Sequence, residues 1–317
     1  MRSKTLANIA SSLTCSFHKP KPQILEGETG EGKKEPPSCD RNWAELQRDV
    51  LLVIFLKIGM MEVFRAAESV CHSWRKVIEE EPILWRRIHM TEHDYKHLHR
   101  GPFSLMHLTR LAIDRSGGQL EEFSVYTVNN CMLQYLCDRT SVLKRLCLLS
   151  TNGLSAEVVA ETVKRQPLLE EIEIRVSDRS FNEKFIEVVG KECPQLKSFK
   201  FDKIWSYHEG NRTEDDEALA ISKTMHQLRH LQLIYNRLTN KGLKAILDGC
   251  PHLETLDIVD CYNVKMDAEM EARCAKLENK SYPLIPYLPQ MFRPTRSRFL
   301  LRCQSEALKI RSVRWSF

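Results

Sequence analysis

A short apolar pattern that recurs six times constrains the fold of this chain more than any other feature of its 317 residues. Each copy has the form Leu-x-x-apolar-x-apolar, and the leading leucines are separated by 23, 26, 27, 32 and 25 residues. The alternating apolar pair predicts a short strand with one buried face, and a unit this small cannot cover that face alone. We therefore expect the units to stack side by side around one continuous core. The copies are Leu120/Phe123/Val125, Leu143/Leu146/Leu148, Leu169/Ile172/Ile174, Leu196/Phe199/Phe201, Leu228/Leu231/Leu233 and Leu253/Leu256/Ile258.

The segments between these copies are predicted to return the chain as helices, at 156–165, 181–192, 217–225 and 240–247. Proline closes several of them, in Cys193-Pro194 and Cys250-Pro251, with Gln166-Pro167 as a looser copy, and proline ends a helix before the next strand. The pattern resembles the cysteine-containing class of leucine-rich repeats across residues 115–265. That resemblance implies an α/β fold, a horseshoe of short parallel strands plus helices.

On each predicted strand, the side chains between the inward apolar residues are expected to face the concave surface. Their charge changes sign from one repeat to the next, which suits a polar protein or peptide partner. A nucleic acid would favour one continuous basic stripe, so we do not expect one as the partner. A solvated sheet face without a partner is the alternative for any single position. The candidate substrate-binding residues on this surface are Arg145, Glu171, Glu173, Lys200, His230 and Asp257.

The 32-residue interval predicts an insertion around residues 202–216, which we expect to form a loop on one rim of the array. Trp205 and Tyr207 lie in this insertion. As exposed aromatic residues they could anchor a substrate, and we include them among the candidate binding residues. The alternative is that Trp205 packs back under the loop.

Residues 41–88 form a second region, in which three short helical segments carry more apolar surface than a small unit can bury. Asp49 lies where it favours the start of a first helix, and Gly59 ends the apolar run. A second helix is expected at Met60–Val70 and should fold back on the first. A third follows around Trp74 and ends before Pro82. We interpret this region as a docking module.

The same region resembles the F-box, with the landmarks of that family in order. They are Leu46, Asp49, Val50, Ile54 and Phe55, then Val70-Cys71 and Trp74-Arg75, then Leu84-Trp85. The resemblance implies docking onto a Skp-type adaptor, which links to a cullin scaffold that carries a ubiquitin-conjugating enzyme. It implies an adaptor-binding role for Leu46, Val50, Ile54, Phe55, Val70, Trp74, Leu84 and Trp85. Gln47 departs from the family, which usually has a proline at this position.

Together the two regions resemble the plant-type F-box/leucine-rich-repeat proteins of the Skp-interacting class. The resemblance implies the substrate-recognition subunit of an SCF-type cullin ubiquitin ligase, with the repeats holding a protein substrate for ubiquitination. Such a subunit positions its substrate and is not itself an enzyme. Two alternatives remain at this point: an interaction scaffold whose F-box is weakened by Gln47, and a nucleic-acid binder that uses a basic tail.

The remaining sequence adds boundaries and expected absences. We predict a disordered segment at 1–40, a linker at 89–114 and a basic, irregular tail at 266–317, within which residues 273–317 hold ten Lys/Arg and two Asp/Glu. A segment that caps the last repeat and a patch for nuclear import or an acidic partner are the alternatives for this tail. The 11 cysteines include no C-x-x-C pair, which favours reduced thiols in the nucleus and/or cytoplasm; organelle import is the alternative. The longest apolar run is too short to span a bilayer. We expect no cofactor, and no metal site at His89, His93, His97 and His99.

Overall fold

The computed structural model describes residues 43–98, 105–203 and 215–282, which form eight parallel strands and the helices between them. The strands pair in chain order, β1 to β8, in a single sheet. This confirms the predicted α/β leucine-rich-repeat horseshoe preceded by a small helical unit. The strands are β1 Arg87–Met90, β2 Glu122–Val125, β3 Arg145–Leu148, β4 Glu171–Val176, β5 Ser198–Lys203, β6 His230–Ile234, β7 Thr255–Asp257 and β8 Asn279–Ser281.

Most of the helices return the chain from one strand to the next, as the repeat pattern predicts. Within the described residues they are α1 Arg48–Ile58, α2 Met60–Arg65, α3 His72–Glu80, α4 Glu92–Leu98, α5 Leu105–Arg115, α6 Asn130–Cys137, α7 Ala156–Lys164, α8 Glu183–Glu192, α9 Asp216–Thr224, α10 Asn240–Gly249 and α11 Ala268–Cys274. Short 3-10 helices lie at Trp43–Glu45, Ala67–Ser69 and Pro82–Trp85.

Strand register places the apolar pair of every repeat in the same two rows of the core. In the first row, Phe123 aligns with Leu146 and Leu146 with Ile172, and these side chains are almost completely buried. The apolar faces of the helices cover these rows, so the core lies between the sheet and the helices. Several helices begin with the same device, in which a side chain accepts a bond from a backbone N–H of the first turn. The capping residues are Asn129, Ser155, Asn182, Thr239 and Asp267.

The sheet extends beyond the predicted repeat range of 115–265 at both ends. Strand β1 lies across the boundary between the predicted F-box and the predicted linker, and α4 and α5 occupy most of that linker. Helix α11 and strand β8 lie in the segment predicted to be irregular. These units were missed because each departs from the apolar pattern at one position. Trp85 takes the place of the leading leucine before β1, and Lys280 takes the place of the first apolar residue in β8. The segments 1–40 and 283–317 lie outside the described residues.

The N-terminal helical unit is built around its own aromatic core. The rings of Phe55 and Trp74 meet edge to face, with centroids 5.3 Å apart. The indole nitrogens of Trp74 and Trp85 donate to the carbonyls of Trp43 and Ile78, at 2.9 and 3.0 Å. These bonds satisfy the polar edges of both tryptophans and so allow the rings to be buried. The unit therefore has a defined interior despite its small size.

Across the described part of the chain, no helix is both long enough and apolar enough to cross a membrane.

Candidate interaction surfaces

Helix α1 is apolar on both its inner and its outer face. Leu51 and Phe55 point into the core, whereas Val50, Val53 and Leu56 are 44%, 53% and 52% exposed on the other side. A helix that is hydrophobic all round is normally buried all round. The outer face of α1, defined by Val50, Val53 and Leu56, is therefore a candidate docking surface.

Exposed apolar residues are concentrated near this helix. Of the six large hydrophobic residues that are exposed in the described part of the chain, five lie between residues 43 and 83; Trp43 and Ile83 complete that set. The sixth, Leu168, lies in the repeat array. Single exposed apolar residues are common on protein surfaces, but this concentration in one short segment is typical of an interaction site.

The eight residues of the predicted adaptor-binding set lie at different depths in the helical unit. Phe55, Trp74, Leu84 and Trp85 are buried within the helical unit, where they hold its elements together. Their side chains contact the core of this unit, and a role in adaptor binding stays a prediction for them. Leu46, Ile54 and Val70 are partly buried and pack against the core, and Val50 alone of the eight residues is exposed.

Val53 and Leu56 were absent from the predicted set. A signal for them was present in the spacing, because positions 46, 50, 53 and 56 recur every three or four residues and lie opposite Leu51 and Phe55. The uniform apolarity of α1 hid this division, since no polar stripe marks which face is turned outward.

Gln47 precedes α1 with a backbone φ of −61° and ψ of 146°. A proline ring fixes φ near −65°, so this residue already has the conformation that the family's proline would impose. The Gln47 carbonyl accepts a bond from the Leu51 N–H at 3.1 Å, which starts the helix. The departure at Gln47 therefore removes the rigidity of proline while the geometry at the start of α1 is retained.

A second surface is the face of the sheet opposite the helices, where two polar rows run across all eight strands. The candidate residues Arg145, Glu171 and His230 lie in the first row, and Glu173, Lys200 and Asp257 lie in the second. The complete first row is Arg87, Glu122, Arg145, Glu171, Ser198, His230, Thr255 and Asn279, and the second is His89, Ser124, Cys147, Glu173, Lys200, Gln232, Asp257 and Ser281.

Ion pairs between neighbouring strands occupy the first five strands of this face. Arg145 and Glu171 are 2.9 Å apart, and Lys200 lies 3.5 Å from Glu173. Thus four of the candidate residues form two ion pairs with each other. At β1 and β2, the Glu122 carboxylate lies 3.0 Å from Arg87 and is hydrogen-bonded to His89 at 3.1 Å.

These contacts also shift a proton equilibrium. The hydrogen bond from His89 and the nearby positive charges lower the pKa of the Glu122 carboxyl. Glu122 therefore stays ionised further into the acid range than an isolated glutamate would.

The C-terminal part of the face is organised by hydrogen bonds and is indented. The His230 ring is bonded to the Thr255 hydroxyl at 2.9 Å, and the Gln232 amide donates to Asp202 at 2.9 Å. A depression of about 120 Å³ lies here. It is lined by Lys200, His230, Leu231, Gln232, Thr255, Leu256, Asp257, Asn279, Lys280 and Ser281. This depression brings Lys200, His230 and Asp257 of the candidate set together.

The two ends of the predicted insertion are joined by buried polar contacts. Lys203, the last residue of β5, lies 2.5 Å from Glu217 in α9, and Asn236 donates to the same carboxylate at 2.6 Å. All three side chains are buried. Trp205 and Tyr207 lie outside the described residues.

No metal site is found among the described residues, and six of the eight thiols there are buried. No group of three or more His, Cys, Asp or Glu side chains there could hold a metal ion, and His99 of the predicted histidine set lies outside this part. The eight cysteines of the described segments are free thiols. Burial raises the pKa of the Cys147 and Cys193 thiols to about 12, which keeps them protonated at neutral pH.

These surfaces define a class of protein: a three-helix docking unit that continues directly into a leucine-rich-repeat array. No family model matches the chain. Relatives in Arabidopsis thaliana include F-box/LRR-repeat protein 22, which is 38% identical over 79% of this chain and 76% of its own length. F-box protein SKIP19 is 36% identical over 74% of both chains. F-box/LRR-repeat protein 23 is 39% identical over 74% of this chain, but the match spans only 51% of its own length.

The chain belongs to the F-box/leucine-rich-repeat family.

Proposed function

We propose that this protein is the substrate-recognition subunit of an SCF-type cullin ubiquitin ligase. The helical unit at residues 43–85 would dock to a Skp-type adaptor and through it to a cullin, and the repeat array would hold a protein substrate. We place this assembly in the nucleus and/or cytoplasm. The observation that carries the proposal is the outer face of α1. Val50, Val53 and Leu56 are about half exposed there, whereas the other face of the helix is buried in the core.

The chemistry expected of such a subunit is positioning. A receptor that holds the adaptor at one end and the substrate at the other raises the local concentration of a substrate lysine near the charged conjugating enzyme. This chain would then contribute no nucleophile of its own, and the bond-forming groups would belong to other subunits.

For the substrate, the polar face of the sheet supports a protein or peptide partner. Its charges alternate in sign over β1 to β5 and form pairs, whereas β6 to β8 offer hydrogen-bonding groups around the depression. A substrate that binds at β1 to β5 must compete with the ion pairs formed there, whereas the depression at β6 to β8 is an indented surface that a substrate side chain can enter. We therefore assign first contact to the depression lined by His230, Thr255 and Asn279.

The adaptor test uses the full chain and a purified Skp-type adaptor, with affinity measured by calorimetry. Val53→Glu and Leu56→Glu each introduce a charge where an apolar contact is expected. Because burying an unpaired carboxylate costs several kcal/mol in addition to the lost apolar contact, we expect each variant to bind at least about 100-fold more weakly. Leu168→Glu is the matched control, since it changes an exposed leucine of the repeat array.

Two outcomes would contradict the proposal. The wild-type chain could fail to bind the adaptor, which would favour a repeat scaffold without ligase assembly. Alternatively, Val53→Glu and Leu56→Glu could bind as tightly as Leu168→Glu, which would place the adaptor elsewhere. Circular dichroism spectra of all three variants must match the wild type, because the altered side chains are exposed and unfolding is not expected.

A further inference from the structure

Arg115, the last residue of α5, projects from the repeat array into the helical docking unit. Its guanidinium forms an ion pair with Glu68 and lies 3.7 Å from Glu79. The same group lies 5.1 Å from the ring centroid of Trp85 and 5.6 Å from that of Phe64. Four separate elements of the docking unit thus meet on one side chain, which is only 12% exposed.

This arrangement differs from an ordinary surface ion pair, which contributes little because both side chains are mobile in water. The Arg115 group is flat, permanently charged and packed against two aromatic rings that are themselves 4.8 Å apart. Such a group can bond a carboxylate at its edge while it stacks with its face. Lysine has the charge but lacks the flat stacking surface.

The backbone on either side of this contact leaves little length for independent motion. The 3-10 helix Pro82–Trp85 ends one residue before β1, so the docking unit runs into the sheet without a linker. Arg65 and Asp94 add a second polar contact at 3.5 Å between α2 and α4. The unit is therefore held to the first repeat by the chain itself, by Arg65 and by Arg115.

We propose that Arg115 is a positioning residue that fixes the orientation of the docking unit relative to the repeat array. The importance of a fixed orientation rests on the proposed receptor function, because a receptor that bends at this junction would not hold its substrate at a constant distance from the adaptor. The contact of Arg115 with the docking unit does not depend on that function. It is a property of the chain alone.

The decisive experiment measures the distance between the two parts in the full chain. Spin labels on non-natural side chains at Lys57 in α1 and Lys184 in α8, both exposed, report the distance distribution by pulsed electron resonance. We expect a narrow distribution in the wild type, a broader one in Arg115→Lys and the broadest in Arg115→Gln. Hydrogen exchange at Ala67–Ser69 should be about 10- to 100-fold faster in Arg115→Gln, since that variant loses the charged bond to Glu68.

Arg139→Gln is the matched control. Arg139 also pairs with an aspartate, Asp114 at 2.7 Å, and stacks 3.4 Å from a tyrosine ring, but its contacts lie between two helices of the array. This variant should leave the distance distribution as narrow as in the wild type. Wild-type widths in both Arg115 variants, or equal broadening in Arg139→Gln, would overturn the proposal.

A double-mutant cycle separates positioning from packing. Glu68→Gln and Arg115→Gln should together change the exchange rate by less than the product of their separate effects, because both remove the same contact. If the two substitutions change the exchange rate independently, Arg115 does not act through Glu68 and the proposal is contradicted. Adaptor affinity, measured in the same variants, should stay at the wild-type value. If the wild type does not bind the adaptor, the proposed function is refuted while the measured distances are unaffected. Failure of the proposed function can therefore be told apart from failure of the proposed role of Arg115.

Discussion

Gln166 connects three successive repeats through its buried side-chain amide, and its replacement by leucine tests how far such contacts hold the array together. The Gln166 amide nitrogen donates to the Thr140 carbonyl at 2.7 Å, and its oxygen accepts from the Leu143 N–H at 3.3 Å. The Thr140 hydroxyl in turn donates to the carbonyls of Gly118 and Leu120, both at 3.3 Å. Gln166 itself is completely buried.

The expected cost of Gln166→Leu follows from the two backbone groups that lose this partner. Each buried polar group left without a hydrogen bond costs about 1–3 kcal/mol. Leucine is of similar size and more apolar, so its transfer from water recovers about 1 kcal/mol. We therefore expect the free energy of unfolding to fall by about 1–5 kcal/mol. Contacts in a repeat array are made between neighbours, so the loss should be concentrated at β2 to β4.

Urea unfolding followed by circular dichroism measures the total effect, and hydrogen exchange at the Leu143 amide measures the local one. Gln134→Leu is the control: this glutamine is exposed on α6, and a surface substitution of this kind changes stability by less than about 0.5 kcal/mol. If Gln166→Leu unfolds at the same urea concentration as Gln134→Leu, the relay through Thr140 does not stabilise the array and the reasoning fails.

Three further predictions concern acid stability, thiol reactivity and the start of α1. The pKa of Glu122 is lowered in the folded state, so its contribution to stability is present above its ordinary pKa and is lost as the pH falls through the lowered value; Glu122→Gln should flatten the pH dependence of unfolding in that acid range. Iodoacetamide at pH 8 should modify the exposed Cys131 in the native protein and leave the buried Cys147 unmodified until urea is added, as judged by peptide mass spectrometry. Gln47→Pro should raise the free energy of unfolding by about 0.4–1 kcal/mol, because the native φ of −61° suits proline; a loss of stability would contradict this.

The repeat architecture could be predicted from sequence because its signal is periodic and strong. Six copies of one apolar pattern implied parallel strands, and the register shows those positions aligned across the sheet. The terminal repeats were not recognised because each departs from the pattern at one position, with Trp85 in place of the leading leucine in the first and Lys280 in place of an apolar residue in the last. Trp85 serves both as the leading residue of the first repeat and as a core residue of the docking unit, a double role that no local pattern reveals.

The site residues were harder to predict, because an apolar side chain can pack either in the protein's own core or against another protein, and the sequence does not distinguish the two. The sequence marked Phe55 and Trp74 as docking residues, yet their rings pack against each other in the interior. Likewise, Arg145 and Glu171 were candidates for substrate contact as separate charges. Their pairing across β3 and β4 depends on a strand register that emerges only after folding.

Charges that align from strand to strand also specify the order of the repeats. At the position before each strand, Glu121 bonds both Arg86 on one side and Lys144 on the other, at 2.5 and 3.4 Å. One position further, Arg87 faces Glu122, and Arg145 faces Glu171. The first repeats thus alternate in sign at two adjacent positions, positive at β1 and β3 and negative at β2 and β4.

Each exposed pair of this kind contributes less than about 1 kcal/mol, so the alternation adds only modest stability. Its larger effect is on alternatives to the native order. If the repeat that contains β2 were skipped, Arg87 would lie beside Arg145, and like charges placed on facing strand positions are destabilising. The same aligned charges that pair across the first half of the polar face therefore also keep the repeats in sequence.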